Sequence, residues 1–306
     1  MLSRATLRQM RIFEAAGRHL HFGRAAAEMN LTQPAISIQL RQFEEHVGLP
    51  LFEQIGRKMH LTTAGLALLG HVRGVLQQVR EADDVVQKLK GSGGGELHVA
   101  ATTTAEYFVP RLMAAFHHNN RMARIRLTVD NRDAVLRALS DNLIDLAIMG
   151  RAPAGLDAKA EAFARHPLAL IASPDHPLAA RRNLKLQQLA QETFLIRERG
   201  SGTRSAMEHA FAEAQFQPTE TIEFGSNEAI KQAVMAGIGI GFVSLHTTGL
   251  ELTTKRLAVL RVAGMPVMRD WYVIHLGGKR LSSAASAFKE HLISGGAALI
   301  DKALRV

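Results

Sequence analysis

The chain is 306 residues long, 47% hydrophobic and 21% charged, with no cysteine and a formal charge of +9. Its length and apolar content allow more than one cored domain, and the lack of cysteine excludes a disulfide framework, a thiolate metal site and a thiol switch. The positive balance favours polyanionic or acidic partners, and it is spread along the chain rather than gathered at the start. The opening MLSRATLRQMRIF is amphipathic and charged, unlike a secretory leader. No run is apolar enough to cross a bilayer, so the expected location is the cytoplasm, with no membrane partner.

From Phe22 to Gly48 the chain reads FGRAAAEMNLTQPAISIQLRQFEEHVG. Ala25, Ala26, Ala27 and Met29 favour a helix, and Asn30 tolerates the turn that ends it. Thr32 offers an oxygen to cap a second helix, and Pro34 falls in its first turn, where a missing N–H does no harm. In that helix Ile36, Leu40, Phe43 and Val47 step by four, three and four, so one face is buried. The other face presents Gln33, Ser37, Gln39 and Arg41, hydrogen-bonding groups without an acid among them. A helix lying in a DNA major groove needs such a face. The pattern predicts a helix-turn-helix DNA-binding module.

Residues 63–90 form one long helical pattern. Leu69, Val72, Leu76, Val79, Ala82, Val86 and Leu89 recur by threes and fours, a heptad-like seam with one slip. A buried helix of a monomer would show the same stripe. Gln77, Gln78, Arg80, Glu81, Asp83, Asp84 and Lys88 on the other faces favour pairing with a second subunit. The run Gly91-Ser92-Gly93-Gly94-Gly95 reads as a hinge. It precedes a strand instead of joining strand to helix, which sets it apart from a phosphate loop.

From Glu96 strands and helices alternate. Strands are predicted at Glu96–Ala101, Ile125–Val129, Leu143–Met149, Leu168–Ala172, Phe194–Arg197, Thr221–Phe224, Ile238–Ser244 and Trp271–His275. Helices are predicted at Pro110–His118, Asp133–Ser140, Thr203–Ala214, Glu228–Ala236 and Ser282–Gly295. This order argues for open α/β sheets in two sub-domains. In such folds ligands bind off the carboxyl ends of strands, at helix N-termini. The junctions at those ends carry Thr102, Thr103 and Thr104; Asn131 and Arg132; Gly150 and Arg151; the run Arg197 to Arg204; and Gly225 to Glu228. In the fourth, glycines let the backbone approach a ligand, Ser201 and Thr203 donate, and arginines supply charge. Each junction alone is what ordinary helix capping produces. Together they predict a cleft that binds a small carboxylate or phosphate ester, with Thr102, Thr103, Thr104, Asn131, Arg132, Arg151, Ser201, Gly202, Thr203, Arg204 and Asn227 as candidate contacts.

Catalysis finds no support in the sequence. His117 and His118 are adjacent, so their rings leave different helix faces and do not chelate one metal. Ser201 lies in Gly-Ser-Gly rather than in a nucleophile elbow. Gly237-Ile238-Gly239-Ile240-Gly241 follows a helix and enters a strand, so it reads as a helix end with close sheet packing and not as a dinucleotide fingerprint. No catalytic residue, metal ligand or cofactor is expected.

Leu7 to Gly65, with LRQMRIFEAAGR, FGRAAAEMNLTQPAIS and LRQFEEHVGLPLFEQIGRKMHLTTAG, resembles the N-terminal domain of the LysR-type transcriptional regulators. The resemblance implies DNA contacts at Gln33, Pro34, Ala35, Ser37 and Ile38, completed by Arg24, Thr32, Gln39 and Arg41. It implies a wing over Leu49 to Leu61. There the family carries Arg after Phe-Glu where this chain has Gln54, leaving Arg57 and Lys58 to reach a minor groove or a phosphate. It further implies a dimerising linker helix and an effector domain built like periplasmic solute-binding proteins. The implied division is 1–62 winged helix-turn-helix, 63–92 linker and hinge, and 93–306 effector domain. Lobe I spans 93–165 and 269–306 and lobe II spans 166–268, with crossings near Arg165–Pro167 and Met268–Asp270. A stand-alone solute-binding protein would lack the helix-turn-helix.

Motifs in the C-terminal part narrow the resemblance. Asp130-Asn131-Arg132, DNLIDLAIMGR from Asp141, ASPDHPL from Ala172, GSNEAIKQAVMAG from Gly225, Ser244-Leu245-His246-Thr247 and Lys279-Arg280-Leu281-Ser282 resemble the CbbR branch, which regulates carbon-fixation operons. The branch implies phosphorylated metabolites or NADPH as effectors. It also implies promoter DNA and RNA polymerase as partners, and homodimers that join into homotetramers. Arg199 departs from it, since the branch has Pro before Gly-Ser-Gly-Thr-Arg. The alternative is a LysR-type regulator of another metabolic operon with a carboxylate effector.

Overall fold

The computed structural model describes residues 4–56, 58–89 and 95–304. It divides into two compact units, Met1–Leu89 and Lys90–Val306. Arg57 and most of the expected glycine hinge, residues 91–94, lie outside the described residues.

The first unit contains α1 (Leu7–His19), α2 (Phe22–Glu28), α3 (Gln33–Val47), the hairpin β1 (Phe52–Ile55) and β2 (Lys58–Leu61), and α4 (Thr63–Leu89). Local chemistry fixes the helix ends. Thr6 and Gln9 form a reciprocal capping box on α1. Thr32 accepts from the Ala35 N–H at the start of α3. Between α2 and α3 Asn30 takes a positive φ of 52°, the turn its short polar side chain tolerates. Glu44 on α3 accepts from the Leu51 and Phe52 N–H groups, which ties the hairpin to that helix. Ile12, Phe13, Ala25, Ile36, Leu40 and Phe43 form the core of the unit.

The long helix departs from the expectation of a continuous dimer seam. Leu69, Val72 and Leu76 are buried in the core of their own unit. Beyond them Val79 is half-buried and Ala82 and Val86 are exposed. Helical periodicity marks which face is apolar but not which surface covers it.

In the second unit β3 (Glu96–Thr102), α5 (Val109–Asn119), β4 (Arg124–Asp130), α6 (Arg132–Ser140) and β5 (Leu146–Met149) build the first lobe. The long β6 (Ala158–Ala172) leads into the second lobe. That lobe contains β7 (Thr193–Arg197), α7 (Gly202–Glu213), β8 (Glu220–Phe224), α8 (Asn227–Met235), β9 (Ile240–Ser244), α9 (Gly249–Thr253) and β10 (Ala258–Val259). Then β11 (Val267–Leu276) returns to the first lobe and α10 (Ser283–Leu304) closes the chain. Short 3-10 turns lie at Ala105–Tyr107, Leu186–Leu189 and Leu245–Thr247.

The expected two sheets are one hydrogen-bonded sheet of nine strands, in the order β4-β3-β5-β11-β6-β9-β7-β8 with β10 on β6. The physical reason is that β6 and β11 pair antiparallel along their length and run through both lobes. Residues 165–167 and 268–270 face each other in that register. Within each lobe three strands are parallel, β4-β3-β5 and β8-β7-β9, and helices cover both faces. One core packs α5 and α10 against β3, β5 and β11, and another packs α6 on the opposite face. The second lobe repeats this with α7 and α8. Sequence reasoning missed the first ten residues of β6, where Pro167 reads as a strand end. It also stopped α10 at Gly295, whereas the helix runs on to Leu304, with Gly296 lying against Phe163. Strand β5 starts at Leu146 rather than Leu143, and β9 at Ile240 rather than Ile238.

Candidate functional site

The first unit presents α3 as a polar face. Gln33 and Arg41 are exposed, Gln39 and Ser37 are half-buried, and Ile38 is 57% exposed. The Ser37 hydroxyl donates to the Gln33 carbonyl. Arg24 stands exposed on α2, and Pro34 and Ala35 shape the first turn of α3. These groups offer donors, acceptors and one apolar contact suited to a thymine methyl. On the hairpin Lys58 and Gln54 are exposed, and the Gln54 amide donates to the Gly56 carbonyl.

The second unit holds a cavity of about 500 Å³, including its open mouth, between the two lobes. Parallel pairing of β3 with β4 and β5 brings Thr102, Asp130 and Met149 to one edge of the sheet. From that edge Thr102, Thr103, Thr104, Asn131, Arg132, Gly150 and Arg151 line the cavity. Asn131 caps α6 through the Ala134 N–H. From the second lobe Ser201 caps α7, and Ser201, Gly202, Thr203 and Ser205 face the same space. Gly200 has a φ of +86°, which lets the chain turn sharply from β7 into α7. Two helix N-termini therefore converge on the cleft from opposite lobes, each with unpaired N–H groups and the positive end of a dipole.

No carboxylate lines the cavity among the described residues. Arg132, Arg151 and Arg269 are its cations, and neither Arg151 nor Arg269 has an ion-pair partner among the described residues. Burial first, and then the neighbouring Arg151 charge, pulls the Arg132 pKa down. Burial, Arg151 and Arg132 do the same to Arg269. Three guanidiniums that repel one another make a site whose free energy falls when an anion enters.

The lobes touch beside the cavity. Thr104 and Thr203 hydroxyls lie 3.4 Å apart, Arg197 donates to Thr103 at 3.2 Å, and Tyr107 donates to Glu228 at 3.3 Å. Lys231 sits 4.8 Å over the Tyr107 ring and is held by Glu251 and Glu228. Burial works against the Lys231 charge, but these carboxylates outweigh it and its pKa is raised.

Nine of the eleven predicted effector contacts line the cavity, and two do not. Arg204 lies on the flank of the second lobe, paired with Glu208 and Glu223 and donating to the Arg197 carbonyl. It is three residues past the Ser201 cap, most of a turn into α7, and its side chain lies outside the cavity lining. Asn227 is 1% exposed and accepts from Arg197 at 2.6 Å, behind the lining. Sequence reasoning missed Met149, His166, Leu168, Ser205, Arg269 and Trp271. Of these, His166, Leu168, Arg269 and Trp271 come from β6 and β11, and the only available signal was their nearness to the expected lobe crossings. His117 and His118 on α5 are not part of the cleft, and no group of side chains suited to a metal exists among the described residues.

Two buried histidines give this unit an acid limit. Burial pushes the His246 pKa down to about 4 and, with help from His246 and Arg269, the His166 pKa well below its usual value. Both are neutral in the folded state. As pH falls below about 6.5 the unfolded chain takes up these protons first, so stability is lost from about pH 6.5 downwards to about pH 4. Unfolding followed by Trp271 fluorescence should show a loss of about 1–3 kcal/mol over that range. A His246→Gln variant, which can still accept the Trp271 N–H, should flatten the curve.

A winged helix-turn-helix joined to a two-lobed cleft for a small anion defines a DNA-binding regulator controlled by a metabolite. The description "Bacterial regulatory helix-turn-helix protein, lysR family" matches residues 7–66, and "LysR substrate binding domain" matches residues 90–297. The chain belongs to the LysR family of transcriptional regulators, not to an enzyme family. It is 47% identical to a RuBisCO operon transcriptional regulator of Allochromatium vinosum, covering 94% of this chain and 96% of that one. It is 48% identical to the regulator CbbR of Rhodospirillum rubrum, covering 92% and 93%. Among solved structures it is similar to the CcmR regulatory domain of Synechocystis in complex with 2-PG, with a TM-score of 0.63 and 37% identity over 66% of this chain and 96% of that domain.

Proposed function

We propose that the protein controls a carbon-fixation operon in response to a small phosphorylated metabolite bound between the lobes of its second unit. The observation that carries this reading is the cleft itself, where three arginines and two helix N-termini converge and no acid among the described residues lines the cavity. The RuBisCO-operon relatives support the target, and the 2-PG complex of the CcmR domain supports the ligand class.

Gln33, Ser37, Ile38 and Arg41 read base edges in the major groove, while Arg24, Thr32, Gln39 and Lys58 position the module on phosphates. Two protomers pair through the later part of α4, at the half-buried Val79 and the exposed Ala82 and Val86. Their recognition helices then lie about one DNA turn apart, roughly 34 Å. Two dimers join through the second units into a tetramer. The protein works in the cytoplasm, where the promoter and RNA polymerase are. Ligand binding changes the angle between the lobes, and with it the spacing of the dimers, the DNA bend and polymerase recruitment. A coupling of about 1–3 kcal/mol is sufficient, and it acts equally on ligand and DNA affinity.

Footprinting of the neighbouring promoter with and without 2-phosphoglycolate, NADPH and a simple carboxylate tests the proposal. A long protected region that shortens, or loses a hypersensitive kink, with a phosphorylated ligand is expected. Protection that answers only to the carboxylate would remove the phosphate reading. Within the DNA module, Gln33→Ala should weaken operator binding by about 1–3 kcal/mol and leave non-specific binding unchanged. Equal losses in both, measured by competition against random DNA, would move the readout off α3. Lys58→Ala should instead weaken both and reduce the salt slope by about one phosphate contact.

A further inference from the structure

His166 lies on β6 opposite Arg269, at the crossing between the lobes. The residue is 5% exposed and lines the cleft. Its ring is stacked on Trp271, with centroids 3.9 Å apart and planes inclined by 19°. Trp271 in turn donates its indole N–H to His246 at 3.0 Å. Gly150 leaves the space that the imidazole occupies, because a Cβ there would stand 2.5 Å from Nδ1. Neither ring nitrogen of His166 has a hydrogen-bond partner among the described residues. A buried polar group without a partner is costly, and one that lines a cleft finds its partner most simply in what the cleft binds.

We propose that His166 is a recognition and specificity residue of the cleft, donating a ring N–H to an anionic oxygen of the phosphorylated effector held by Arg132, Arg151 and Arg269. This rests on the anion-binding reading given above. The charged and titratable groups that face the ring are all basic: Arg269 from β11, Arg132 from α6, Arg151 after β5 and His246 after β9. The uncharged polar side chains that line the cavity with it are Thr and Ser hydroxyls and the Asn131 amide. The Arg165–Asp270 pair belongs to the next register position, whose side chains leave the opposite face. Two acids act on this group from behind, Asp133 on Arg132 and Asp301 on His246. Without an anion this surrounding keeps the ring neutral. A phosphate dianion at hydrogen-bond distance reverses the local field, and the ring takes one proton from solvent as the ligand enters. A monocarboxylate brings half the charge and stabilises the imidazolium less. The residue therefore selects for dianions.

Calorimetry of the full chain with 2-phosphoglycolate at pH 7, in two buffers of unlike ionisation enthalpy, counts that proton. A phosphate monoester with its second pKa near 6 is already mostly dianionic at this pH, so ionisation of the ligand alone would release protons. Net uptake approaching one proton is expected, with Kd rising by up to tenfold per pH unit above pH 7. Fluorescence of Trp271, the sole tryptophan of the chain, should fall on binding, because a stacked imidazolium accepts an electron from excited indole. His166→Gln keeps an amide donor but cannot titrate. It should bind more weakly, with a Kd flat in pH and without the quenching. Binding without proton uptake in the unaltered chain, or uptake retained in His166→Gln, would overturn the role of His166 and leave the anion cleft standing. If neither 2-phosphoglycolate nor NADPH binds the unaltered chain, the cleft reading falls and this role falls with it. The buffer pair decides even where the variant does not fold.

Discussion

Arg197→Ala should destabilise the second unit by about 1–3 kcal/mol, the cost of leaving the buried partners of a charged donor unsatisfied. Arg197 is 2% exposed. Its guanidinium makes a two-pronged contact with Glu198, at 2.7 and 2.9 Å, and donates to Asn227 at 2.6 Å and to Thr103 at 3.2 Å. Truncation leaves the Glu198 carboxylate unpaired. It also strips Asn227, whose amide nitrogen has no partner among the described residues, of its acceptor contact. Thr103 belongs to the first lobe, so the same substitution loosens one of the contacts between lobes beside the cleft. Arg197→Lys restores the charge but not the planar fork, and less than half of the loss should return. Denaturant unfolding followed by Trp271 fluorescence measures both. A loss below about 1 kcal/mol for Arg197→Ala would mean that water replaces the guanidinium in this network.

The contrast between Arg197 and Arg204 shows where sequence reading ends. Both sit in one glycine-rich run, and turn chemistry marks the run as a site without saying which arginine faces inward. Strand β7 sends Arg197 into the lobe interface, whereas one turn of α7 carries Arg204 to Glu208 and Glu223. The helix-turn-helix was legible throughout because caps, turn residues and the Ile36, Leu40 and Phe43 stripe are all local signals. On α4 the stripe was legible but its partner was not, since Leu69, Val72 and Leu76 are buried in the core of the same unit, where α4 packs against α1. In the cleft, residues at helix starts were found from their capping chemistry. Arg269, His166 and Trp271 lie within strands, carry no turn signal, and meet only through the register of β6 with β11. Long-range pairing of that kind leaves no mark on a single sequence.

Arg132→Met should separate stability from response. Arg132 is half-buried, and its polar contacts are long: 3.5 Å to the Ala152 carbonyl and 3.6 Å to the Met149 sulfur. Its charge is held against Arg151 and Arg269 without a carboxylate in the cavity lining. Removing that charge relieves repulsion, and the methionine keeps much of the apolar stem against α7, where a Cβ at Gly202 would stand 3.6 Å from the Arg132 Cδ. The ligand-free variant should therefore unfold at the same temperature as the parent or slightly above it. A phosphorylated ligand, however, loses a charge-assisted contact of about 1.5–3 kcal/mol, or roughly 10- to 150-fold in Kd. At a concentration of 100 Kd the parent gains about 2.7 kcal/mol of stability from its ligand, and at that same concentration roughly half to nine-tenths of the gain should vanish in the variant. Operator affinity without ligand stays as it was, because the DNA-reading groups lie in the other unit. Thermal shift with 2-phosphoglycolate, alongside operator binding, gives both readings. A variant that keeps the full ligand shift would place the anion away from α6. A variant that is less stable when ligand-free would mean that Arg132 is a structural cation, and that the repulsion argued for the cleft is balanced elsewhere.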